Sequence, residues 1–212
     1  MISLPKIYPI TDSSLSGRTH SDLVAEFAAA GATLIQIREK NAPARDFYLE
    51  AAQAVAIGRR FGSKIIINDR VDIAIAVNAD GVHLGQFDLP PDQARRLLGR
   101  DKLIGLSTHN LSQAMEALRL GVDYIAFGPI FPTSTKLNPD PVVGLRQLGE
   151  IKSIARNVPV VGIGGIGRDT VAAVLSAGAD SVAIISAIYE KTFSAADNYL
   201  DLLDSANKVK RI

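Results

Sequence analysis

Gly178-Ala179-Asp180-Ser181-Val182-Ala183-Ile184-Ile185-Ser186 is the stretch from which the fold is read. A glycine ends a helical pattern, an apolar run of strand length follows at once, and the run stops on a polar residue. The same unit recurs at Gly31-Ala32-Thr33, Gly121-Val122-Asp123 and, without a leading glycine, Ala79-Asp80-Gly81, each lying between a helical pattern and an apolar run. The three leading glycines are natural helix C-caps, because glycine takes the left-handed conformation freely.

Working outward, eight apolar runs emerge, at residues 7–11, 34–38, 64–68, 81–84, 103–107, 124–127, 160–163 and 181–185. Each is rich in Val, Ile or Leu, as expected of strands buried on both faces. Between them lie amphipathic helical patterns such as 21–30, 44–61, 111–120 and 168–177. This alternation predicts parallel strands with crossover helices. The recurring unit precedes only the even-numbered runs. A two-strand period suits a closed (β/α)8 TIM barrel, whose interior layers draw on alternate strands, better than an open doubly wound sheet.

The 212 residues suit one domain, 1–212, with little left for insertions. Lys plus Arg number 23 against 22 for Asp plus Glu, so bulk charge points to no nucleic-acid partner. Cysteine is absent, which excludes disulfides, thiolate nucleophiles and Cys-ligated zinc. The first residues lack the pattern of a signal peptide, and no apolar run approaches a membrane span. A cytoplasmic protein with no membrane partner is expected. A homo-oligomer is compatible with the sequence. The long polar stretch 132–141 is a candidate lid.

In a TIM barrel the loops after the strands share the face that carries the active site. Polar residues and glycines gather there after nearly every run. Gln36 and Arg38 share one strand face, and an inward cation is favourable where an anion waits. The alternative is a structural ion pair between Arg38 and a nearby carboxylate. Lys40, just beyond, suits a second phosphate ligand. Asp69 and Asp88, on adjacent loops, could hold a hard cation such as Mg²⁺, though each could instead cap a helix. Gly162-Ile163-Gly164-Gly165 and Ile185-Ser186 occupy the corner where barrels often bind phosphate through main-chain N–H groups, unless the glycines only make a tight turn. Pro132-Thr133-Ser134-Thr135-Lys136 adds hydroxyls and a cation, or is simply a polar turn. His83 reads as a satisfied core histidine, and His109 as the start of a helix with Asn110. Two anion sites result, one cationic and metal-bearing, the other a neutral backbone cradle. Two phosphorylated substrates, or one bisphosphate, would fit them.

Tyr8-Pro9-Ile10-Thr11-Asp12, Gln36-Ile37-Arg38-Glu39-Lys40, Ile67-Asn68-Asp69-Arg70, Gly81-Val82-His83-Leu84-Gly85-Gln86, the segment from Gly128 to Lys136, and Gly162-Ile163-Gly164-Gly165-Ile166 together resemble the thiamine phosphate synthase family. The resemblance runs from Tyr8 to about Ile188. It implies a transferase joining 4-amino-2-methyl-5-(diphosphooxymethyl)pyrimidine to a thiazole phosphate, with Mg²⁺ as cofactor and pyrophosphate released in a dissociative substitution. It further implies that Gln36, Arg38, Lys40, Asn68, Ser107 and Lys136 bind the pyrimidine diphosphate. Of these, Arg38, Lys40, Ser107 and Lys136 would serve catalysis. Asp69 and Asp88 would hold the metal, and Thr133, Thr135, Gly165, Ile185 and Ser186 the thiazole phosphate. Whether the thiazole enters carboxylated is left open. Phe87 stands where the family is expected to carry a small or acidic residue, and an aromatic there could narrow the mouth or alter metal access.

Three rivals fit less well. A thiazole tautomerase should show a histidine just after the sixth strand, where Pro129 stands. A phosphate-binding regulator has no need of Asp69, Asp88 and Lys136 together. A sugar-phosphate isomerase would want an acid–base carboxylate pair on the first and the fifth or sixth strands; Asp12 ends the first, but Ser107 and Gly128 end the others.

Overall fold

The computed structural model describes residues 2–135, 140–190 and 193–209. Eight parallel strands close into a barrel in sequence order: β1 (Ile7–Asp12), β2 (Leu34–Arg38), β3 (Lys64–Asn68), β4 (Gly81–Leu84), β5 (Leu103–Thr108), β6 (Tyr124–Phe127), β7 (Val160–Ile163) and β8 (Ser181–Ile184). β8 pairs with β1 and completes the ring. The helices are α1 (Ser13–Ser16), α2 (His20–Ala29), α3 (Ala44–Phe61), α4 (Val71–Ala76), α5 (Pro91–Leu98), α6 (Leu111–Arg119), α7 (Gly144–Ala155), α8 (Val171–Ser176) and α9 (Ala195–Asn207), with a 3-10 turn at Ser186–Tyr189. Among the described residues no helix is long and apolar enough to cross a membrane.

Strand alternation divides the core in two. On β3, Ile66 points into the barrel beside Tyr8, Ile10, Leu34, Tyr124, Ala126, Val161 and Ala183. Ile65 and Ile67 point outward to the helices, with Ile35, Ile37, Val82, Ile104 and Phe127. Each fully buried Ile or Phe contributes roughly 1.5–3 kcal/mol. Caps fix where helices begin: the side chains of Thr19, Asn110 and Ser194 accept from the amides of Asp22, Gln113 and Asp197.

The repeat holds at Gly31, Gly121 and Gly178, all at positive φ directly after the C-caps Ala30, Leu120 and Ala177. Its fourth copy begins at Asn78 (φ 52°), one residue earlier than Ala79-Asp80-Gly81 suggests. Asparagine tolerates the left-handed region, so it replaces glycine there. Gly81 instead opens β4, where a Cβ would lie 2.2 Å from the Leu103 carbonyl oxygen. The corrected register aligns three carboxylates. Asp80, Asp123 and Asp180 accept from the amides of Ile65, Ile104 and Val160 at 2.7–2.8 Å. Their own amides donate back to the carbonyls of those same residues. Each aspartate thus bolts an even strand to the odd strand before it, at the barrel face remote from the rim. The helix expected at 168–177 is shorter, because Gly167 and Thr170 close a turn on each other ahead of α8.

Candidate active site

The ends of β1 and β2 pair in register at Asp12 and Arg38. The Arg38 guanidinium donates to the Asp12 carboxylate, which is almost wholly buried. The ion-pair alternative is therefore present, but it does not use up the side chain. Guanidinium carries five donors, and Asp12 also serves Leu15 and Ser14 at the start of α1. Asp12 acts as the orienter of Arg38, a role that needs the β1–β2 register to be visible.

Glu39 builds the turn that follows. It accepts from Ser13 Oγ at 2.6 Å, from the Asn41 and Ala42 amides, and pairs with His20 Nε2 at 3.3 Å. Burial pushes its carboxyl up, but those hydrogen bonds outweigh burial and bring it down to about 2. The other nitrogen of His20 meets Thr11 Oγ1 at 2.8 Å. The turn so fixed carries Lys40 to the rim, where its ammonium donates to Asp69.

Asp69 has φ +62°, in the left-handed region. Its amide donates to the His83 carbonyl, and the Arg70 amide donates to the Asn68 carbonyl, closing a γ-turn around it. It caps no helix: Arg70 precedes α4, without a side-chain cap. Arg70 is taken up by Asp72. Asp88 does not cap α5 either; it folds back to accept from the Gly85 amide at 2.6 Å. Burial raises the Asp88 carboxyl, the Gly85 amide lowers it, and neighbouring Asp69 raises it further against a smaller effect of Lys40. Two carboxylates thus adjoin on the rim without structural duty as caps. Hard oxygen donors in this number match a cation that takes one or two protein carboxylates and completes its shell with phosphate and water. Among the described residues no group of three or more His, Asp or Glu forms a metal cluster. Phe87 is fully exposed.

Asn68 ends β3 facing inward, in register with His83 on β4. Across the interior, Gln36 donates to the Tyr8 hydroxyl, which lies 3.1 Å from that of Tyr124. Tyr124 meets His83 Nδ1 at 3.0 Å, and His83 Nε2 meets Ser107 Oγ at 2.9 Å. Gly105 makes the crossing feasible, since a Cβ there would lie 2.1 Å from the Tyr124 ring. His83 is satisfied and buried, as expected, yet it also touches a candidate site residue.

The other half of the rim is main chain. Beyond β6 and β7 the chains stay paired, Ile130 and Phe131 donating to the carbonyls of Ile163 and Gly164. Gly165 (φ +65°) lies so close that a Cβ would sit 2.4 Å from the Pro132 carbonyl oxygen. This contact sets Thr133 and Thr135, half-buried and hydrogen-bonded to one another, beside the glycine turn. Ile185 and Ser186 lead into the 3-10 turn, whose Tyr189 hydroxyl donates to the Ile10 carbonyl and accepts from the Asp12 amide. His109 joins the Gly128 carbonyl to Asp140, 2.7 and 3.4 Å away. Lys136 lies outside the described residues. The other expected site residues lie at, near or just beyond the C-terminal ends of the strands, with Gln36 set deeper on β2. A surface concavity of about 420 Å³ on α6, lined by Ser112, Met115, Glu116, Arg119 and Leu120, contains none of them.

The profile of the family described as thiamine monophosphate synthase matches residues 7–188. A thiamine-phosphate synthase of Clostridium novyi is 46% identical over 184 residues, covering 86% of this chain and 90% of that protein. One of Chloroflexus aurantiacus is also 46% identical over 184 residues, covering 86% and 84%. Among solved structures, a thiamine phosphate pyrophosphorylase from Pyrococcus furiosus superimposes with a TM-score of 0.86 at 36% identity, covering 97% of both chains. A 3-hexulose-6-phosphate synthase, at 18% identity and a TM-score of 0.66, shares the fold alone. Matched along nearly its whole length in both sequence and barrel, the chain belongs to the thiamine monophosphate synthase family.

Proposed function

We propose that this chain, a thiamine-phosphate synthase by family, works as a cytoplasmic enzyme on two phosphorylated small molecules at the two halves of its rim. The aminopyrimidine methyl diphosphate lies against Gln36, Arg38, Lys40, Asn68, Ser107 and Lys136. The thiazole phosphate, or its carboxylated form, lies against Thr133, Thr135, Gly165, Ile185 and Ser186. The observation that carries this reading is the adjoining pair Asp69 and Asp88, neither of them a helix cap, with Lys40 beside them and Arg38 on the next strand end. Mg²⁺ held by this pair would supply charge neutralisation to the departing diphosphate.

Arg38 and Lys40 steady the diphosphate oxygens as the methylene C–O bond breaks and its electron pair leaves with pyrophosphate. The pyrimidine ring stabilises the resulting cation. Main-chain amides of the glycine turn and Ser186 hold the thiazole phosphate so that the ring nitrogen faces that carbon and forms the new C–N bond. No enzyme nucleophile is needed, in keeping with a chain that lacks cysteine. The test is pyrophosphate release with each component omitted in turn. Release should require both substrates and the divalent ion, and should stop on chelation. Release indifferent to the thiazole phosphate, or none with all components present, overturns the proposal.

A further inference from the structure

Gln36, Tyr8, Tyr124, His83 and Ser107 form an unbroken polar file through an apolar barrel interior. Both tyrosines are fully buried, and burial holds their hydroxyls protonated far above the ordinary range. Each phenol therefore has a single hydrogen to give. Gln36 donates N–H to Tyr8. Tyr8 must then pass its hydrogen to Tyr124, and Tyr124 to His83 Nδ1. With one hydrogen on the imidazole, His83 accepts at Nδ1, carries that hydrogen at Nε2 and gives it to Ser107 Oγ. The hydroxyl hydrogen of Ser107 is left to face the rim, as is the carbonyl oxygen of Gln36. Reversing one link reverses every other, and the rim would then meet an amide N–H at Gln36 and a lone pair at Ser107. The cations favour the first arrangement. Arg38 lies two residues along the same strand face, and a carbonyl oxygen is better placed toward it than an amide N–H.

We propose that Tyr8, Tyr124 and His83 are positioning residues that couple the two ends of the file, presenting Gln36 as an acceptor and Ser107 as a donor to one pyrimidine edge. This rests on the reading above that both residues meet the pyrimidine. An exocyclic amine beside a bare ring nitrogen is the complement of that pair. The corresponding 4-oxo ring, with a ring N–H and a carbonyl, demands the reversed file. The file therefore selects 4-amino over 4-oxo pyrimidines without Tyr8, Tyr124 or His83 having to touch the ligand.

Calorimetric binding of the 4-amino and 4-oxo pyrimidine methyl diphosphates, with Mg²⁺, tests this in wild type, Tyr8→Phe, Tyr124→Phe and the double variant. Wild type should prefer the 4-amino ligand by about tenfold or more, the value of one misdirected hydrogen bond. Each single variant should bring the ratio toward one. The double variant should go no further, because the file is already cut, and KM for the thiazole phosphate should not move. An unchanged ratio in the single variants, or losses that multiply in the double, overturns the coupling. If Tyr8→Phe does not fold, the ratio in Tyr124→Phe decides. Failure of wild type to bind the 4-amino ligand removes the underlying site assignment, and the coupling with it.

Discussion

Asp69 occupies a backbone conformation that most side chains avoid, and that constrains how it can be replaced. Asn tolerates φ near +60°, whereas Ala costs roughly 1–2 kcal/mol there. Asp69→Asn should keep the melting temperature close to wild type while lowering pyrophosphate release on the order of a hundredfold or more. Asp69→Ala should lose the same activity and stability as well. Comparable activity in Asp69→Asn and wild type would assign the residue to the turn alone. The carboxylates at 69 and 88 were legible as candidates, because their loops follow adjacent strands. Their freedom from capping was not. It depends on the His83 carbonyl and the Gly85 amide, partners that periodicity does not reveal. Asp12 was not legible as the partner of Arg38 for a similar reason, since only the β1–β2 register brings the two together.

At the scale of elements, strands and long helices follow local pattern, and their bounds shift by a residue or two. α1 and the 3-10 turn were not legible, because four residues carry too little periodicity. Asp12 caps α1, and Tyr189 ties the 3-10 turn to the end of β1 through the Ile10 carbonyl and the Asp12 amide. The three bolting aspartates make a prediction proper to this scale. Asp123→Ala would leave the Ile104 amide without its carboxylate and release Arg95. Urea unfolding should show a loss of about 1–3 kcal/mol. The specific activity of the folded fraction should not change, because the residue lies at the end remote from the chemistry. A lowered kcat would contradict that separation. The turn after β2 makes another. The Glu39 carboxyl is depressed to about 2 in the folded chain, against about 4.3 when unfolded. A depressed carboxyl stabilises above its unfolded value, and the benefit fades as pH falls through the folded one. The gap in melting temperature between wild type and Glu39→Gln should therefore be widest near neutrality and shrink between about pH 4.5 and 2. A gap that stays constant over that window would exclude the carboxylate's charge as its origin.

The whole molecule divides its labour between two faces of one ring. The fold was legible because eight apolar runs and a two-strand repeat leave few alternatives to closure, and closure places every strand C-terminus on a common rim. The geometry inside the ring was not legible. The file from Gln36 to Ser107 joins residues from five strands, and only the assembled barrel sets them in line. Phe87 stands on the rim in full contact with solvent, one residue from Asp88, in a chain without tryptophan. Phe87→Trp would thus install a lone indole fluorophore whose neighbour is the proposed cation ligand. Titrating Mg²⁺ with pyrophosphate should change its emission saturably, and Asp88→Asn in the same background should flatten the curve. An optical isotherm would then follow occupancy of that half of the rim without turnover.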